Sequence, residues 1–317
     1  MIIPKPLFIE RMKKLLPEKE DYDKFLEYMR IPSINSIRCN TLKILPEKLK
    51  ARLEQKGWKI SQIEKYPEIM VVESELLPGE LGKAREHLLG YYYIQEISSM
   101  LPILALNPQK NDIVLDLCAS PGSKTTQMSA MMENSGTIIA NDKDLGRISI
   151  LSSNLERCGC MNVIVTRHDA VQLCEKLAKI GMKFDKILLD VPCSGEGNIR
   201  SNIKTLVMWN EKMIEKLGRM QKKIAASAIK LLKEDGIIVY STCTYAPEEN
   251  EENIDFLLKN FNLKTEKIEL PVKIRQGISE WQGKKFDKQV ENAARIYPQD
   301  NDTEGFFLCR MKLRGEK

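Results

Sequence analysis

The chain is predicted to be α/β: a Rossmann-like sheet, mostly parallel with an antiparallel edge strand, behind a small N-terminal α/β domain. Three features point there. From about Tyr91, short apolar runs alternate with stretches of helical period, the pattern of strands joined by crossover helices. Acids stand at the ends of four successive runs, at Asp116, Asp142, Asp169 and Asp190. A last apolar run, FFLCRM (306–311), follows five others and is expected at the edge.

In chain order, residues 1–90 are read as the smaller unit and 91–317 as the larger. Tyr22, Phe25, Leu26 and Met29 fall at helical spacing, and Pro32 ends that helix. SIRCNTLK (36–43) reads as a strand, and PEKLKARLEQKG (46–57) as a short helix that opens with Pro and closes with Gly. KYPEIMVVE (65–73) is a second strand, and the glycine-containing stretch 76–90 is the junction. The larger unit has strands expected at 112–118, 137–142, 162–169, 186–192 and 236–243, with helices at 124–132, 146–158, 170–180 and 211–233. In the last helix Met213, Leu217, Met220, Ile224, Ala228 and Leu231 form a core-facing stripe.

Composition excludes several classes. With 43% hydrophobic and 29% charged residues, the 317-residue chain can bury a core and shows no sign of disorder. Its 49 basic and 44 acidic residues, +5 net, tolerate nucleic acid without demanding it. No apolar run approaches the roughly 20 residues of a membrane helix, and no secretory leader is evident at the start. Eight cysteines in so large a chain are expected to be reduced, which places the protein in the cytoplasm. Cys158 and Cys160 have no second pair at zinc spacing, and His87 and His168 are the only histidines, so no metal is expected. Nothing demands more than a monomer.

The first strand–helix turn, LDLCASPGSKTT (115–126), is the most informative local feature. Open α/β sheets bind ligands beyond the carboxyl ends of their strands, near the first crossover. The turn lacks G-x-G-x-x-G and Walker spacing, since only Gly122 is present, so a phosphate cradle is disfavoured. Asp142 suits a ribose diol, and Asp169 an adenine amino group. Four strand-end acids fit a ligand that carries an amino acid, a ribose and an adenine, as S-adenosylmethionine does. The competing reading makes each Asp a helix cap.

Two cysteines also follow apolar strands, in ILLDVPCSGEG (187–197) and in GIIVYSTCTY (236–245). Carbon 5 of a pyrimidine is not nucleophilic until a thiolate adds to carbon 6, and cysteine is both a good nucleophile and a tolerable leaving group. Small buried cysteines are equally common at such positions. Position alone leaves the two readings even.

The runs DLCASPGSKTTQM, DVPCSGEG and YSTCTYAPEENE closely resemble the Nop/Sun-type RNA cytosine-5 methyltransferases, and the resemblance extends over about residues 36–311. It implies a class I methyltransferase sheet and S-adenosylmethionine as cofactor. Cys243 would be the nucleophile, Cys193 the cysteine that helps release product, and Asp190 the acid that contacts the target base. Cys118, Ala119, Ser120, Pro121, Gly122, Ser123 and Lys124, with Asp142, Arg147, Asp169 and Asp190, match the family's cofactor positions. The RCNTLK element, with Arg38 and Asn40, matches an element implied to help bind RNA. DNA cytosine-5 enzymes share only the Pro-Cys, so the Thr-Cys at 242–243 points to RNA. The resemblance breaks at Gln299, where many members have His.

A target carbon stacked in a helix must be unpaired or extruded. The stretch 273–289, with Lys284 and Lys285 beside Trp281 and Phe286, reads either as a grip on such a strand or as a solvated loop. With no large accessory domain in view, tRNA is favoured over rRNA. The alternative from another class is a non-catalytic RNA-binding or assembly factor on the same fold.

Overall fold

In the computed structural model, which describes residues 4–315, two helices open the chain: α1 (Pro6–Leu15) and α2 (Lys19–Tyr28). Pro6 suits the first turn of α1, where its missing N–H goes unused. Their apolar faces, including Phe8, Met12, Phe25 and Met29, pack on Ile199, Leu206, Trp209 and Tyr245 of the larger unit. Phe8 meets Trp209 edge-on with ring centroids 5.5 Å apart.

The small unit proper is an antiparallel sheet of β1 (Asn35–Cys39), β2 (Ile60–Ile63), β3 (Tyr66–Val72) and β4 (Tyr92–Ile94), in the order β2-β3-β1-β4. One face is covered by α3 (Pro46–Glu54), whose Leu49 and Leu53 join Ile37, Met70 and Tyr92 in a core. The short α4 (Glu80–Lys83) and α5 (Arg85–Leu88) occupy the junction stretch. The packing therefore cuts across a boundary at residue 90: the opening helices belong with the larger unit, and the fourth strand lies beyond the line. Strand β1 also stops short of residue 43, because the Asn40 carbonyl accepts from Lys43 N and Ile44 N in a turn.

Arg38 and Asn40, expected to touch RNA, are each only 2% exposed. The Arg38 guanidinium donates to Gln95 Oε1, to Ser123 O (2.7 Å) and to Thr126 Oγ1 (2.8 Å), which ties β1 to the start of a helix of the larger unit. Burial lowers its pKa to about 10, still well above neutrality, so it stays charged. Asn40 Nδ2 donates to Gly90 O and Cys158 O. Both side chains join the two units and have no surface to offer a ligand.

Helix α6 (Ile97–Leu106) lies between the sheets: Ile97 and Met100 pack with Ile69, while Leu101, Ile103 and Leu106 pack with Val114, Ile138 and Leu188. The second sheet has a parallel core of β5 (Ile113–Asp116), β6 (Thr137–Asp142), β7 (Val163–Arg167), β8 (Phe184–Asp190) and β9 (Leu232–Thr242), in the order β7-β6-β5-β8-β9. Helices α7 (Ser123–Met131), α8 (Leu145–Cys158), α9 (Ala170–Lys179) and α11 (Glu211–Ile229) make the crossovers, with the short α10 (Thr205–Met208) before α11 and α12 (Glu251–Asn260) after β9. The remaining strands are β10 (Leu263–Glu266), β11 (Arg275–Gln276), β12 (Glu280–Trp281), β13 (Lys284–Lys285), β14 (Ala294–Ile296) and, after α13 (Pro298–Asn301), β15 (Phe306–Leu313).

As expected, β15 runs antiparallel to β9, but it is not the edge: β14 and β10 both pair along its far side. Phe307, Leu308, Cys309 and Met311 are fully buried, as a strand covered on both faces and both sides requires. The 273–289 stretch is no free loop either. Strands β12 and β13 form a hairpin, Trp281 Nε1 donates to Glu248 Oε1 (3.0 Å), and Phe286 is half-buried against the core.

Losing Arg38 would strand buried acceptors on both sides of the join. Arg38→Ala is expected to cost about 2–4 kcal/mol of unfolding free energy, read by urea denaturation. A change below about 0.5 kcal/mol, the range of an ordinary surface substitution, would show that the join carries no load.

Candidate active site

Strand order reverses between β5 and β8, since the chain proceeds from β5 outward to β6 and β7 and then returns to β8 on the other side. At such a switch point the crossovers leave on opposite faces and a crevice opens beyond the strand ends. Asp116 and Asp190 are the last residues of those two strands, so both acids border it.

The turn from Cys118 to Lys124 forms one wall. Gly122, with φ +102°, ends the turn where α7 begins, and a Cβ there would lie 2.9 Å from Leu151 Cδ1. The turn is held from outside: Arg147 Nη2 donates to Ser120 O (2.6 Å), Ser120 Oγ to Arg147 O (2.7 Å), and Asn154 Nδ2 to Pro121 O (2.9 Å). Arg147 Nε also pairs with Asp142 Oδ2 at 3.1 Å. Two cavities meet here. One, of about 440 Å³, is lined by Asp142, His168, Asp169, Val171 and Ile224. The other, of about 760 Å³, holds Ser120, Lys124, Asp190, Cys193 and Cys243. Cys118, Arg147 and Pro192 border both.

The strand-end acids differ in their occupation. Asp169 is the one that caps its helix, with Oδ1 accepting from Val171 N and Gln172 N. Asp142 Oδ1 accepts from Asp144 N, and it is Asp144 that caps α8. Asp190 Oδ2 pairs with Lys124 Nζ at 2.7 Å, and its Oδ1 accepts from Ser241 Oγ at 2.8 Å. Asp116 Oδ2 accepts from Thr125 Oγ1 at 2.8 Å, whereas its buried Oδ1 accepts nothing among the described residues. Burial pushes the Asp116 carboxyl up to about 7, with the Asp190 charge adding to the shift.

The two cysteines come together. Cys193 Sγ and Cys243 Sγ lie 3.2 Å apart, and Asn198 Nδ2 donates to Cys243 Sγ at 3.1 Å. Gly197 N donates to Cys243 O (2.9 Å) and Gly305 N to Gly197 O (3.0 Å), so three segments are stitched through backbone alone. A Cβ on Gly197 would stand 2.1 Å from Gly305 O. The hydrogen bond with Cys243 and then burial push the Cys193 thiol well above its ordinary pKa.

Beneath the cysteines lies a polar network that was not picked out from the sequence. Glu249 accepts from Ser194 N (3.1 Å) and Gln221 Nε2 (2.8 Å), and Gln221 Nε2 also reaches Pro192 O. Asn250 takes Thr242 Oγ1 (2.6 Å) and donates to Thr244 O. Glu196 accepts from Thr244 Oγ1, Tyr245 N and Trp209 Nε1. The available signal was the acid–amide run PEENEEN just after Thr-Cys, too polar to be expected buried. Lys284 and Lys285 border neither of the two cavities, and Lys284 Nζ pairs with Glu252 (3.2 Å). Gln299 Nε2 donates to Asp21 Oδ1, away from the cysteines.

A family model described as 16S rRNA methyltransferase RsmB/F matches residues 103–312, and one described as the N-terminal domain of 16S rRNA methyltransferase RsmF matches residues 3–97. The chain belongs to the RsmB/F 16S rRNA methyltransferase family. It is 41% identical over 308 residues to a protein of Pyrococcus abyssi named tRNA (cytosine(49)-C(5))-methyltransferase, covering 96% of this chain and 94% of that one. It is 40% identical to the ribosomal RNA small subunit methyltransferase F of Psychromonas ingrahamii, but spans only 62% of that longer protein. Among solved structures, a methyltransferase homologue from Pyrococcus horikoshii matches with 31% identity and TM-score 0.81, over 98% of this chain and 99% of that one. NSun6 from Pyrococcus horikoshii matches with 26% identity and TM-score 0.82, over 97% and 98%.

The protein is therefore an S-adenosylmethionine-dependent RNA methyltransferase. Its residues fit that cofactor: the smaller cavity offers carboxylates to a nucleoside, and the free Asp116 oxygen lacks the donor that an amino group would provide. Among the described residues no helix is long and apolar enough to cross a membrane, and no cluster of three metal-ligating side chains occurs.

An Asp116 carboxyl that titrates near 7 is neutral below that pH and a weaker acceptor for a cation. S-adenosylmethionine affinity should therefore fall by up to about tenfold per pH unit as pH drops below 7. Asp116→Asn should bind about 10-fold or more weakly at pH 8 and lose this dependence. Calorimetric titration at pH 6, 7 and 8 measures both, and an unchanged pH profile in the variant would refute the assignment.

Proposed function

We propose that the protein methylates carbon 5 of a cytosine in tRNA through a transient bond between Cys243 and carbon 6 of the base. The observation that carries this reading is the pair of thiols 3.2 Å apart in a cavity continuous with the cofactor crevice.

The geometry suggests different roles for the two cysteines. Asn198 donates to Cys243 Sγ, an arrangement that stabilises a thiolate there. Cys193, with its raised pKa, keeps its proton and donates to Cys243 when that sulfur is charged. The Cys243 thiolate adds to carbon 6, and the displaced electron pair makes carbon 5 enamine-like. S-adenosylmethionine supplies the methyl group that carbon 5 takes up. A base then removes the carbon-5 proton, the ring double bond re-forms, and the C–S bond breaks, with Cys193 donating its proton to the departing Cys243 sulfur. Asp190, oriented by Lys124 and Ser241, is assigned to the ring edge of the base.

The tRNA assignment is supported by the relative named for tRNA, to which this chain is 41% identical over 96% of its residues. The N-terminal sheet is assigned an RNA-facing role through its edge strand β4 rather than through Arg38 and Asn40, since Tyr93 and Ile94 border the larger cavity.

Cys243→Ala should abolish transfer of label from S-adenosylmethionine to tRNA. Cys193→Ala should leave a covalent protein–RNA adduct that migrates slowly on a denaturing gel. Transfer by the Cys243 variant at the wild-type rate would defeat the mechanism. Transfer to rRNA alone would move the substrate assignment and leave the chemistry standing.

Asn198→Ala removes the single amide donor to the nucleophile. A loss of about 1.5–3 kcal/mol for a hydrogen bond to a charged group corresponds to roughly 10–100-fold in rate. Single-turnover rates should fall by that factor. A rate equal to wild type would remove Asn198 from the mechanism.

A further inference from the structure

We propose that Glu304 reads the 4-amino group of the target cytosine. The inference rests on the function proposed above and concerns a residue not among the site candidates read from the sequence.

Glu304 precedes Gly305, the residue stitched to Gly197 and through it to Cys243, so the backbone seam holds it beside the nucleophile. It lines the larger cavity together with Asp190, Cys193 and Cys243. The residue is 4% exposed, and neither carboxyl oxygen accepts a hydrogen bond of ordinary geometry among the described residues, with Ser201 the one neighbour whose hydroxyl and N–H act on the carboxyl. A buried acceptor without a partner costs about 1–3 kcal/mol, and in native structures such a group calls for an explanation.

The other acids of this cavity each already hold a partner within the chain. Asp190 takes Lys124 and Ser241. Glu96 caps α6 through Ser98 N and Ser99 N, and its second oxygen accepts from Glu304 N at 3.0 Å. Asp116 has one free oxygen, but it stands beside the cofactor turn. Glu304 alone has two.

The segment cannot easily relax to fill them. Arg200 donates to Thr303 O (2.8 Å), to Asp302 Oδ1 (2.5 Å) and to Ile31 O (3.0 Å), which clamps residues 302–303 against the start of the chain. Burial, with Glu96 adding and Ser201 and Arg200 opposing, pushes the Glu304 carboxyl up to about 7. An N–H donor arriving with the substrate would restore its charged form.

On the edge of the cytosine ring the N–H donor is the 4-amino group. Uracil presents a carbonyl oxygen at the same place, which a carboxylate repels. A carboxylate acceptor here would therefore favour cytosine over uracil. A site built to hydrogen-bond such a group rejects analogues that lack it, because its own buried acceptor is then left unpaired.

The test deletes the partner atoms from each side. tRNA transcripts carry either cytosine or 2-pyrimidinone ribonucleoside, which lacks the 4-amino group, at the methylated position. Single-turnover transfer of labelled methyl is measured with wild type, Glu304→Ala, Glu304→Met and Glu304→Gln. Wild type should transfer to the analogue about 10–100-fold more slowly than to cytosine. Glu304→Ala and Glu304→Met, which fills the same space without an acceptor, should treat the two RNAs within about 2-fold of each other. Glu304→Gln should keep part of the discrimination, because its carbonyl still accepts. Variants that slow both RNAs equally, or that discriminate as strongly as wild type, overturn the proposal. If wild type leaves cytosine RNA unlabelled, the proposed function itself fails, an outcome visible before any variant is compared.

Discussion

The active centre depends on a backbone seam in which Gly197 donates to Cys243 O and accepts from Gly305 N. Sheet register delivers the segments to that point. Parallel pairing sets Asp190 beside Ser241, so the chain leaves β8 and β9 at one level, and antiparallel pairing sets Phe307 beside Thr242. Cys193 is then three residues past Asp190, and Cys243 two past Ser241. The seam turns both sulfurs, each a free thiol, to a separation of 3.2 Å. A side chain on Gly197 would collide with the Gly305 carbonyl, so this approach requires glycine.

The polar groups around the seam divide into two kinds. Those that set the loops in place are satisfied: Glu196, Glu249 and Asn250 accept donors from both cysteine loops, and Gln221 bridges to Pro192. In a low-dielectric interior a satisfied network enforces one geometry, whereas a partly satisfied one is costly. Asp116 Oδ1 and the Glu304 carboxyl are left open, and both border the larger cavity. Each carboxyl is pushed up to about 7 mainly by burial. The protein thus keeps its scaffold acids partnered and leaves open those that a ligand can complete.

Legibility in the sequence followed periodicity and strand ends. The five parallel strands and their crossovers announce themselves through alternating apolar runs, and Asp116, Asp142 and Asp190 sit where those runs stop. Helix α6 was missed because ISSMLPILAL is buried on nearly all sides and contains Pro102, so no amphipathic stripe shows. Strand β15 was placed at an edge because its outer partners β10 and β14 are only 4 and 3 residues long, too short to register as apolar runs. Arg38 was misread because a cation beside Asn looks solvated in sequence, and only the pairing of β1 with β4 shows it pointing into the join. The thiol pair could be inferred from a family resemblance but not from position. What position lacked was the register that brings 193 and 243 together.

The fate of the arginines bears on how RNA is held. Arg38 bridges the units, Arg200 clamps residues 302–303, Arg275 pairs with Asp21 and Asp300, and Arg295 pairs with Glu251 in the core. These guanidiniums hold the opening helices, the N-terminal sheet and the last strand around the cavity, so the net charge of +5 is a poor map of an RNA surface. Phosphate contacts set affinity and register, whereas contacts to base edges set identity. On the function proposed above, the second task would fall to a cavity whose walls are fixed by buried arginines and a glycine seam. Under that proposal, relatives named for tRNA and for ribosomal RNA could share one reaction centre and differ in the surfaces that hold the RNA backbone.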